Sequence, residues 1–219
     1  MHATNLATRR LPDIAPYQRP VVFVVDDDVA VRESLKPLIT LEGWRAEVFG
    51  SAKAFLGYPP AKVPNCLVLD TGLPDASGLD VQRLVAHRLE MPVIFIAGYA
   101  DVPMTVSAMK AGAAEFLTKP IAAGTLLNAI RQALARSEAA LERAAEINVL
   151  RGRYDSLSHR EREVLQLVVS GRLNKQVGAQ LGISDITVKA HRGNVMRKMR
   201  AGSLVELANI ATKLGLAPA

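Results

Sequence analysis

Short apolar runs alternate with helical patterns over the first 120 residues of the chain. We predict that five of these runs are β-strands: Val21–Val25, Ala46–Phe49, Cys66–Leu69, Val93–Ile96 and Glu115–Leu117. The spacing between them predicts helices over Val29–Leu41, Ala52–Leu56, Leu79–Arg88 and Val102–Ala111. Nearly unbroken apolar strands are typical of sheets that are covered on both faces. The alternation therefore predicts an α/β unit with a doubly wound, five-stranded parallel sheet.

The pattern becomes wholly helical from Thr125 to about Arg151. Two interpretations stay open for this segment. It is the last helix of the α/β unit, or it extends into a signalling helix that pairs with a second copy of itself. We thus predict four parts: a disordered tail at 1–19, an α/β domain at 20–124, a linker or signalling helix at 125–154, and an all-α domain at 155–219.

The C-terminal region carries the pattern of a helix-turn-helix. Ser158 and Glu161 are spaced as a capping box at the start of a helix. Two further helices are predicted over Asn174–Leu181 and Asp185–Met199, joined by the short turn Gly182-Ile183-Ser184. Two short helices joined by a glycine-containing turn are typical of helix-turn-helix DNA-binding domains.

Charge is unevenly distributed along the chain. Residues 1–124 hold 12 Lys/Arg and 13 Asp/Glu, whereas residues 155–219 hold 10 and 5, a net charge of +5. A basic helical region indicates nucleic acid as a partner, with an ordinary solvated basic surface as the alternative. No apolar run approaches the roughly 18–20 residues that span a bilayer, and the N-terminus lacks the apolar stretch of a signal peptide. With a single cysteine, Cys66, in an apolar run, we expect a cytoplasmic protein without membrane contact.

Charged side chains follow three of the predicted strands. Asp26 and Asp27 follow the first strand, Asp70 follows the third, and Lys119 follows the fifth. In open parallel sheets, ligands bind outside the carboxyl ends of the strands. Crowded carboxylates repel one another unless a cation intervenes, and Mg²⁺ suits oxygen ligands. Each residue has a simpler interpretation as a helix cap, a turn residue or a surface charge, but their order favours one site in which a carboxylate attacks a phosphoryl group.

The predicted helix Asp185–Met199 separates into two faces at 100° per residue. Val188, Val195 and Met199 share one face, which we assign to the core. The opposite arc holds donors and small residues that suit the major groove: Lys189, Ala190, Gly193, Asn194 and Arg197. A second set is assigned to phosphates, which position a protein without reading sequence: Lys175, Thr187, Arg192, Arg197 and Lys198.

These motifs resemble a known family. The segments Val24–Asp28, Leu69–Gly78 and Lys119-Pro120 are similar to the receiver domain of two-component response regulators. The stretch from Asp101-Val102-Pro103-Met104 to Gly112 resembles the FixJ and NodW branch of the NarL/FixJ family, whose output is a LuxR-type helix-turn-helix. Three segments resemble that output domain: Leu157–Glu161, Asn174–Val177 and Thr187–His191. The resemblance covers residues 20–219 and implies a flavodoxin-like receiver followed by an all-α DNA-binding domain, with a final helix at about Leu204–Leu214 used for dimerisation.

The resemblance also implies roles for single residues. Asp70 would be the phosphoacceptor, and Asp26, Asp27, Asp70 and the backbone carbonyl of Gly72 would hold Mg²⁺. Lys119 would pair with the phosphoryl group, before a cis peptide bond to Pro120.

In this resemblance, the family's switch positions fall at Phe116 and Ala97. Phe116 matches its switch aromatic, with a plain core aromatic as the alternative. The hydroxyl residue that bonds the phosphoryl group falls at Ala97, so we expect phosphorylation to persist with weaker coupling to activation. A second departure is Pro37 inside the first helix, where proline favours a kink.

The resemblance implies a transcription regulator rather than an enzyme. A histidine kinase or a small phosphodonor would phosphorylate Asp70, and a homodimer would then bind a two-fold site in double-stranded DNA, with RNA polymerase as a candidate further partner. Three alternatives stay open. They are a constitutive DNA-binding regulator, suggested by Ala97; a phosphohydrolase, whose second carboxylate would fall at Gly72; and a stand-alone interaction module, which the complete helix-turn-helix opposes.

Overall fold

A computed structural model of the chain describes residues 19–99 and 102–216. These residues divide into two compact units, of which the first ends at Leu141 and the second begins at Glu142. The predicted tail at 1–19 lies outside the described residues except for Arg19.

Within the described residues of the first unit, five parallel strands form one sheet in the order β2-β1-β3-β4-β5. They are β1 (Val21–Val25), β2 (Arg45–Phe49), β3 (Asn65–Asp70), β4 (Val93–Ala97) and β5 (Glu115–Thr118). The predicted doubly wound α/β fold is confirmed. The strand order reverses beside β1 and β3, and the carboxyl ends of these two strands border the crevice where such sheets bind ligands.

Helices cover both faces of this sheet. They are α1 (Val29–Leu41), α2 (Ala52–Leu56), α3 (Gly78–Val85), α4 (Val102–Lys110) and the first part of α5 (Ala123–Asp155). Odd-numbered residues of β1, β3 and β4 share a core with α2, α3 and α4. Even-numbered residues of the same strands pack against α1 and α5. This alternation assigns every residue at the strand ends to one face of the sheet or the other.

The first helix begins at the residue that its sequence predicts. The Asp28 carboxylate accepts a hydrogen bond from the Ala30 backbone N–H at 2.8 Å, which makes Asp28 the N-cap. Helix α1 runs without interruption through Pro37. The third helix is shorter than predicted: it begins at Gly78, after the cap residue Ser77, and ends at Val85 rather than Arg88.

Helix α5 is continuous over 33 residues. In the first unit, Leu126 and Ile130 are buried against the sheet. Ser137, which interrupts the apolar spacing of the sequence, is also buried, and its hydroxyl accepts a hydrogen bond from the Asn65 backbone N–H at 2.8 Å. The same hydroxyl donates to the backbone carbonyl of Glu90. A polar side chain is therefore accommodated in this core because both of its hydrogen-bonding functions are satisfied.

The second unit is helical throughout its described length. After the end of α5 come α6 (His159–Val169), α7 (Asn174–Leu181), α8 (Asp185–Met199) and α9 (Leu204–Lys213). The predicted capping box is present, since Ser158 Oγ accepts from Glu161 N and a Glu161 oxygen accepts from Ser158 N. Its core is built from one apolar face of each helix, and the fully buried members include Val164, Val177, Val188, Met199 and Leu207.

The turn between α7 and α8 depends on two glycines. Gly182 ends α7 with a φ of 67°, a left-handed conformation that favours glycine. A Cβ on Gly178 would lie 2.7 Å from the carbonyl oxygen of Ile183, closer than carbon and oxygen can approach. Ser184 then caps α8 by accepting from Thr187 N. The predicted helix-turn-helix is confirmed.

Candidate functional site

The ends of β1, β3 and β5 bring two carboxylates onto one ammonium group. Lys119 Nζ donates to Asp26 Oδ2 and to Asp70 Oδ1, at 2.8 Å each. The Asp26 side chain is completely buried and that of Asp70 is nearly so. We call these three side chains the acidic rim. The predicted proximity of Asp26, Asp70 and Lys119, which are up to 93 positions apart in sequence, is confirmed.

The acidic rim holds Lys119 in its charged form. Burial alone would lower the pKa of the Lys119 ammonium, but the hydrogen bonds and negative charges of Asp26 and Asp70 outweigh burial and raise this pKa above its ordinary value. The peptide bond between Lys119 and Pro120 is cis, as the resemblance implied. The rim therefore carries a positive charge between two buried carboxylates.

The remaining oxygens of the rim are fixed by backbone donors. Asp26 Oδ1 accepts from Asp28 N at 2.9 Å, and Asp70 Oδ2 accepts from Gly72 N at 2.6 Å. Gly72 itself is exposed. Both carboxylates are thus oriented by backbone N–H groups of the loops that follow their own strands.

Within the described residues, the Asp27 carboxylate forms no ion pair with Lys119, unlike Asp26 and Asp70. Its side chain is exposed, and no group of three His, Cys, Asp or Glu residues within 19–99 and 102–216 is arranged to hold a metal ion. Sequence reasoning also missed Arg32, whose guanidinium donates to the carbonyl oxygens of Asp26 and Asp27 at 2.6 and 2.9 Å. These bonds fix the loop after β1. No sequence signal indicated them, because the partners are backbone atoms.

The predicted switch residues Ala97 and Phe116 lie on the face of the sheet that α2, α3 and α4 cover, as the core contacts of Phe116 and the alternation along β4 indicate. Ala97 is buried at the end of β4, and Phe116 on β5 is half-buried, with its ring centroid 6.0 Å from that of Phe95. A small apolar cavity of about 50 Å³ adjoins the two rings. Its other lining residues are Thr71, Ser77, Gly78, Leu79, Met104 and Ala108. Phe116 therefore packs against the core and also lines this cavity.

Helix α8 presents the predicted recognition residues to solvent. Val188, Val195 and Met199 are buried, as expected for the core face. The opposite arc is exposed at Lys189, Ala190, Gly193, Asn194 and Arg197. A Cβ on Gly193 would meet no atom within 4 Å, so packing inside this domain does not require glycine there.

Most of the residues assigned to phosphates also lie at the surface. Lys175 and Thr187 are exposed, and Arg192 is half-buried, with its guanidinium donating to Asn174 Oδ1 at 2.9 Å. The assignment of Lys198 to a phosphate is wrong. Its ammonium donates to Glu161 Oε2 at 2.6 Å and to the carbonyl oxygen of Ser156 at 3.2 Å, because the helical arc that contains Lys198 turns toward α6.

The buried Glu161 carboxylate combines two stabilising roles. Burial alone would raise its pKa, but the hydrogen bonds from Lys198 and from the Ser158 backbone N–H, with the Lys198 charge, outweigh burial and lower the pKa. The same side chain completes the capping box of α6. Lys198 is thus a structural residue of the second unit.

The chain is similar to known regulators over nearly its whole length. Residues 22–131 match the response regulator receiver domain, and residues 155–215 match the LuxR family of bacterial regulatory proteins. Response regulator protein TmoT of Ectopseudomonas mendocina is 46% identical over 198 residues, which are 90% of each chain. Nodulation protein W of Bradyrhizobium diazoefficiens is 44% identical over 199 residues, 90% of this chain and 88% of its own. The solved structure of response regulator StyR has 43% identity and a TM-score of 0.75, covering 89% of this chain and 99% of that one.

The chain therefore belongs to the response regulators that join a receiver domain to a LuxR-type output domain. Its expected place in the FixJ and NodW branch is confirmed. It is a phosphorylation-controlled transcription regulator of a two-component system. None of the helices within the described residues has the length and apolar character needed to cross a membrane.

Proposed function

We propose that Asp70 is the phosphoacceptor and that the acidic rim is the phosphorylation site. The observation that carries the proposal is the Lys119 ammonium bound between Asp26 and Asp70 at 2.8 Å from each. In the reaction, an Asp70 oxygen attacks the phosphorus of a phosphohistidine or a phosphoramidate. The phosphorus–nitrogen bond breaks, the nitrogen leaves with its electron pair and takes a proton, and a mixed anhydride remains. Lys119 is placed to hold a phosphoryl oxygen through this step.

A magnesium ion fits the chemistry of these residues. Asp26, Asp70 and the neighbouring Asp27 supply hard oxygen donors, together with the backbone carbonyl of Gly72. Asp26 is completely buried, yet the negative charges here outnumber the one ammonium of Lys119. Mg²⁺ would supply the remaining charge compensation and shield the repulsion between Asp70 and an incoming phosphoryl group. Asp27 is exposed, so its oxygens are available for this role.

The output proposal assigns base contacts and phosphate contacts to α8 and its surroundings. Lys189, Ala190, Gly193, Asn194 and Arg197 would face the major groove, with Lys175, Thr187 and Arg192 on phosphates. We further propose that a cognate histidine kinase supplies the phosphoryl group. Two copies of the chain would then pair through α9 and through the part of α5 between residues 125 and 154, and the homodimer would bind the DNA. RNA polymerase is proposed as a later partner. Because genomic DNA is the ligand, the proposed location is the cytoplasm.

One observation favours a second candidate function, that of a regulator that binds DNA without phosphorylation. The family's phosphate-responsive hydroxyl is absent at the buried Ala97. The phosphohydrolase alternative has no such support, since residue 72 is glycine and offers no carboxylate to activate water.

The proposal is tested by phosphorylating the full chain with phosphoramidate and Mg²⁺ and measuring intact mass. We expect one phosphoryl increment on the unmodified chain, none on Asp70→Asn, and none when Mg²⁺ is chelated. Asp80→Asn is the matched control, because Asp80 is exposed on α3 and its carboxylate contacts its neighbours Ser77 and Arg83, away from the rim. An unlabelled native chain, or equal labelling of Asp70→Asn, contradicts the proposal. Promoter output that persists in Asp70→Asn supports the constitutive regulator instead.

A further inference from the structure

We propose that the Thr71 hydroxyl replaces the hydroxyl missing at Ala97, donating to the phosphoryl group on Asp70 and linking it to Phe116. The inference rests on the proposed phosphorylation of Asp70. It concerns a positioning residue that directly follows Asp70 at the carboxyl end of β3.

The strand register brings Thr71 beside Ala97. In the β3–β4 pairing, Leu69 is opposite Phe95 and Asp70 is opposite Ile96. The Thr71 backbone N–H then donates to the Ile96 carbonyl at 3.1 Å, which continues the ladder by one residue. Thr71 is therefore the neighbour of Ala97 on the adjacent strand, about 4.8 Å away in the hydrogen-bonding direction.

The two residues also share a face of the sheet. Side chains alternate along a strand, and Leu69 and Phe95 both point into the core formed with α2, α3 and α4. Thr71 and Ala97 each come two residues later, so they project to the same side. A hydroxyl on Thr71 consequently approaches the rim from the same direction as a hydroxyl on residue 97 would, displaced by one strand.

The surroundings of Thr71 connect it to the aromatic switch position. Thr71 is half-buried and lines the apolar cavity that Phe116 and Phe95 also line. Within the described residues its hydroxyl has no hydrogen-bond partner, whereas the nearby Ser77 hydroxyl is committed to Asp80. An unpaired hydroxyl can donate to a charged acceptor, and a phosphoryl oxygen on the preceding residue would be such an acceptor.

Thr118 is the other hydroxyl in the same row and serves as the matched comparison. It is opposite Ala97 in the β4–β5 pairing, but it is exposed and is one strand further from Asp70. It does not line the cavity beside Phe116. A general effect of losing a threonine hydroxyl at this end of the sheet would be the same for both residues, whereas a specific role belongs to Thr71.

The test measures beryllofluoride binding to the full chain in Mg²⁺ by titration calorimetry, with beryllofluoride as the phosphoryl mimic. We expect Thr71→Val to weaken this affinity about tenfold, because a hydrogen bond to a charged group is lost. Thr118→Val should change it less than about twofold, as is usual for an exposed side chain. Thr71→Ser should restore the affinity, as should Ala97→Thr added to Thr71→Val.

A second readout follows Phe116 directly. In chains labelled with fluorophenylalanine, the Phe116 signal, assigned by its absence in Phe116→Leu, should shift on addition of beryllofluoride in the native chain. The shift should be reduced in Thr71→Val and restored in the two rescue variants. Equal affinity and equal shift in Thr71→Val and the native chain would overturn the inference while leaving Asp70 phosphorylation intact. A native chain that does not bind beryllofluoride at all would instead contradict the proposed function.

Discussion

The acidic rim of the receiver and the recognition helix of the output domain treat charge in opposite ways. At the rim, two buried carboxylates share the ammonium of Lys119. On α8, Lys189 is exposed and forms no ion pair with any residue that the structure describes. The contact of Arg197 with Asn194 is long, at 3.4 Å. The carboxylates of the rim are compensated by Lys119 of the same domain, whereas the exposed cations of α8 remain available to bind a partner.

This difference follows from where each site lies. A buried carboxylate without a counter-charge costs several kcal/mol, so the rim needs a cation at all times, either Lys119 or a metal ion. Exposed cations cost little in water, and leaving them unpaired preserves them for the phosphates of DNA. The comparison teaches that the unpaired charges, rather than the paired ones, mark the surface for a polyanion in this chain.

The largest expected effect comes from removing the internal cation of the rim. Lys119→Met should lower the free energy of unfolding of the receiver by about 3 kcal/mol in chelator, the lower end for breaking a buried pair because Lys119 is partly exposed. Added Mg²⁺ should recover part of this loss, and should stabilise the variant more than the native chain. Denaturant unfolding of the full chain, with and without Mg²⁺, measures both quantities.

Lys36→Met is the control for that prediction, since Lys36 is an exposed lysine on α1. Its effect should stay within about 0.5 kcal/mol. If the two substitutions cost the same, the rim does not depend on internal compensation and the contrast with α8 fails.

The two sites were also predictable to different degrees. The order of Asp26, Asp70 and Lys119 along alternating strands was sufficient to predict the rim, because a parallel sheet brings the carboxyl ends of its strands to one edge. Buried polar contacts were not predictable. Ser137 interrupts an apolar spacing, and its partner Asn65 lies 72 positions away. Periodicity reports which face of a helix a residue occupies, but long-range polar pairing is settled only by tertiary packing.

The recognition helix gives a second example of that limit. The 100° spacing placed its core face correctly at Val188, Val195 and Met199. The same spacing assigned Lys198 to DNA, whereas its partner is Glu161, 37 positions earlier in the chain. The capping box identified Glu161 from local sequence, but nothing local indicated that the same Glu161 oxygen would also accept a hydrogen bond from a lysine of α8. Lys198 therefore resembles Lys119 more than it resembles Lys189.

The next effect tests whether the Lys198–Glu161 pair behaves as a compensated site. The folded-state pKa of Glu161 lies below its ordinary value of 4.5, so its charge stabilises the output domain above that pH, and the stabilisation is lost as pH falls through the folded pKa. Glu161→Gln should remove about 2 kcal/mol at neutral pH, the size of a lost hydrogen bond to a charged group. As pH falls below about 4.5, the difference between the native and variant unfolding free energies should shrink. A difference that stays constant between pH 7 and pH 3 would contradict this assignment.

The smallest effect concerns the uncompensated surface. Gly193→Ala should raise the free energy of unfolding of the output domain by about 1 kcal/mol, because glycine inside a helix is less favourable than alanine and the added methyl group meets no atom within 4 Å. The same methyl group should weaken binding to DNA about tenfold if α8 lies close to the groove floor. The duplex is selected from a random pool by the native chain, and affinity is measured by fluorescence anisotropy.

Gly178→Ala is the steric counterpart, since its methyl group would meet the Ile183 carbonyl at 2.7 Å and should destabilise the domain. Stabilisation by Gly193→Ala without loss of DNA affinity would mean that the groove-facing arc of α8 does not require glycine, and would move the base contacts toward Lys189 and Asn194.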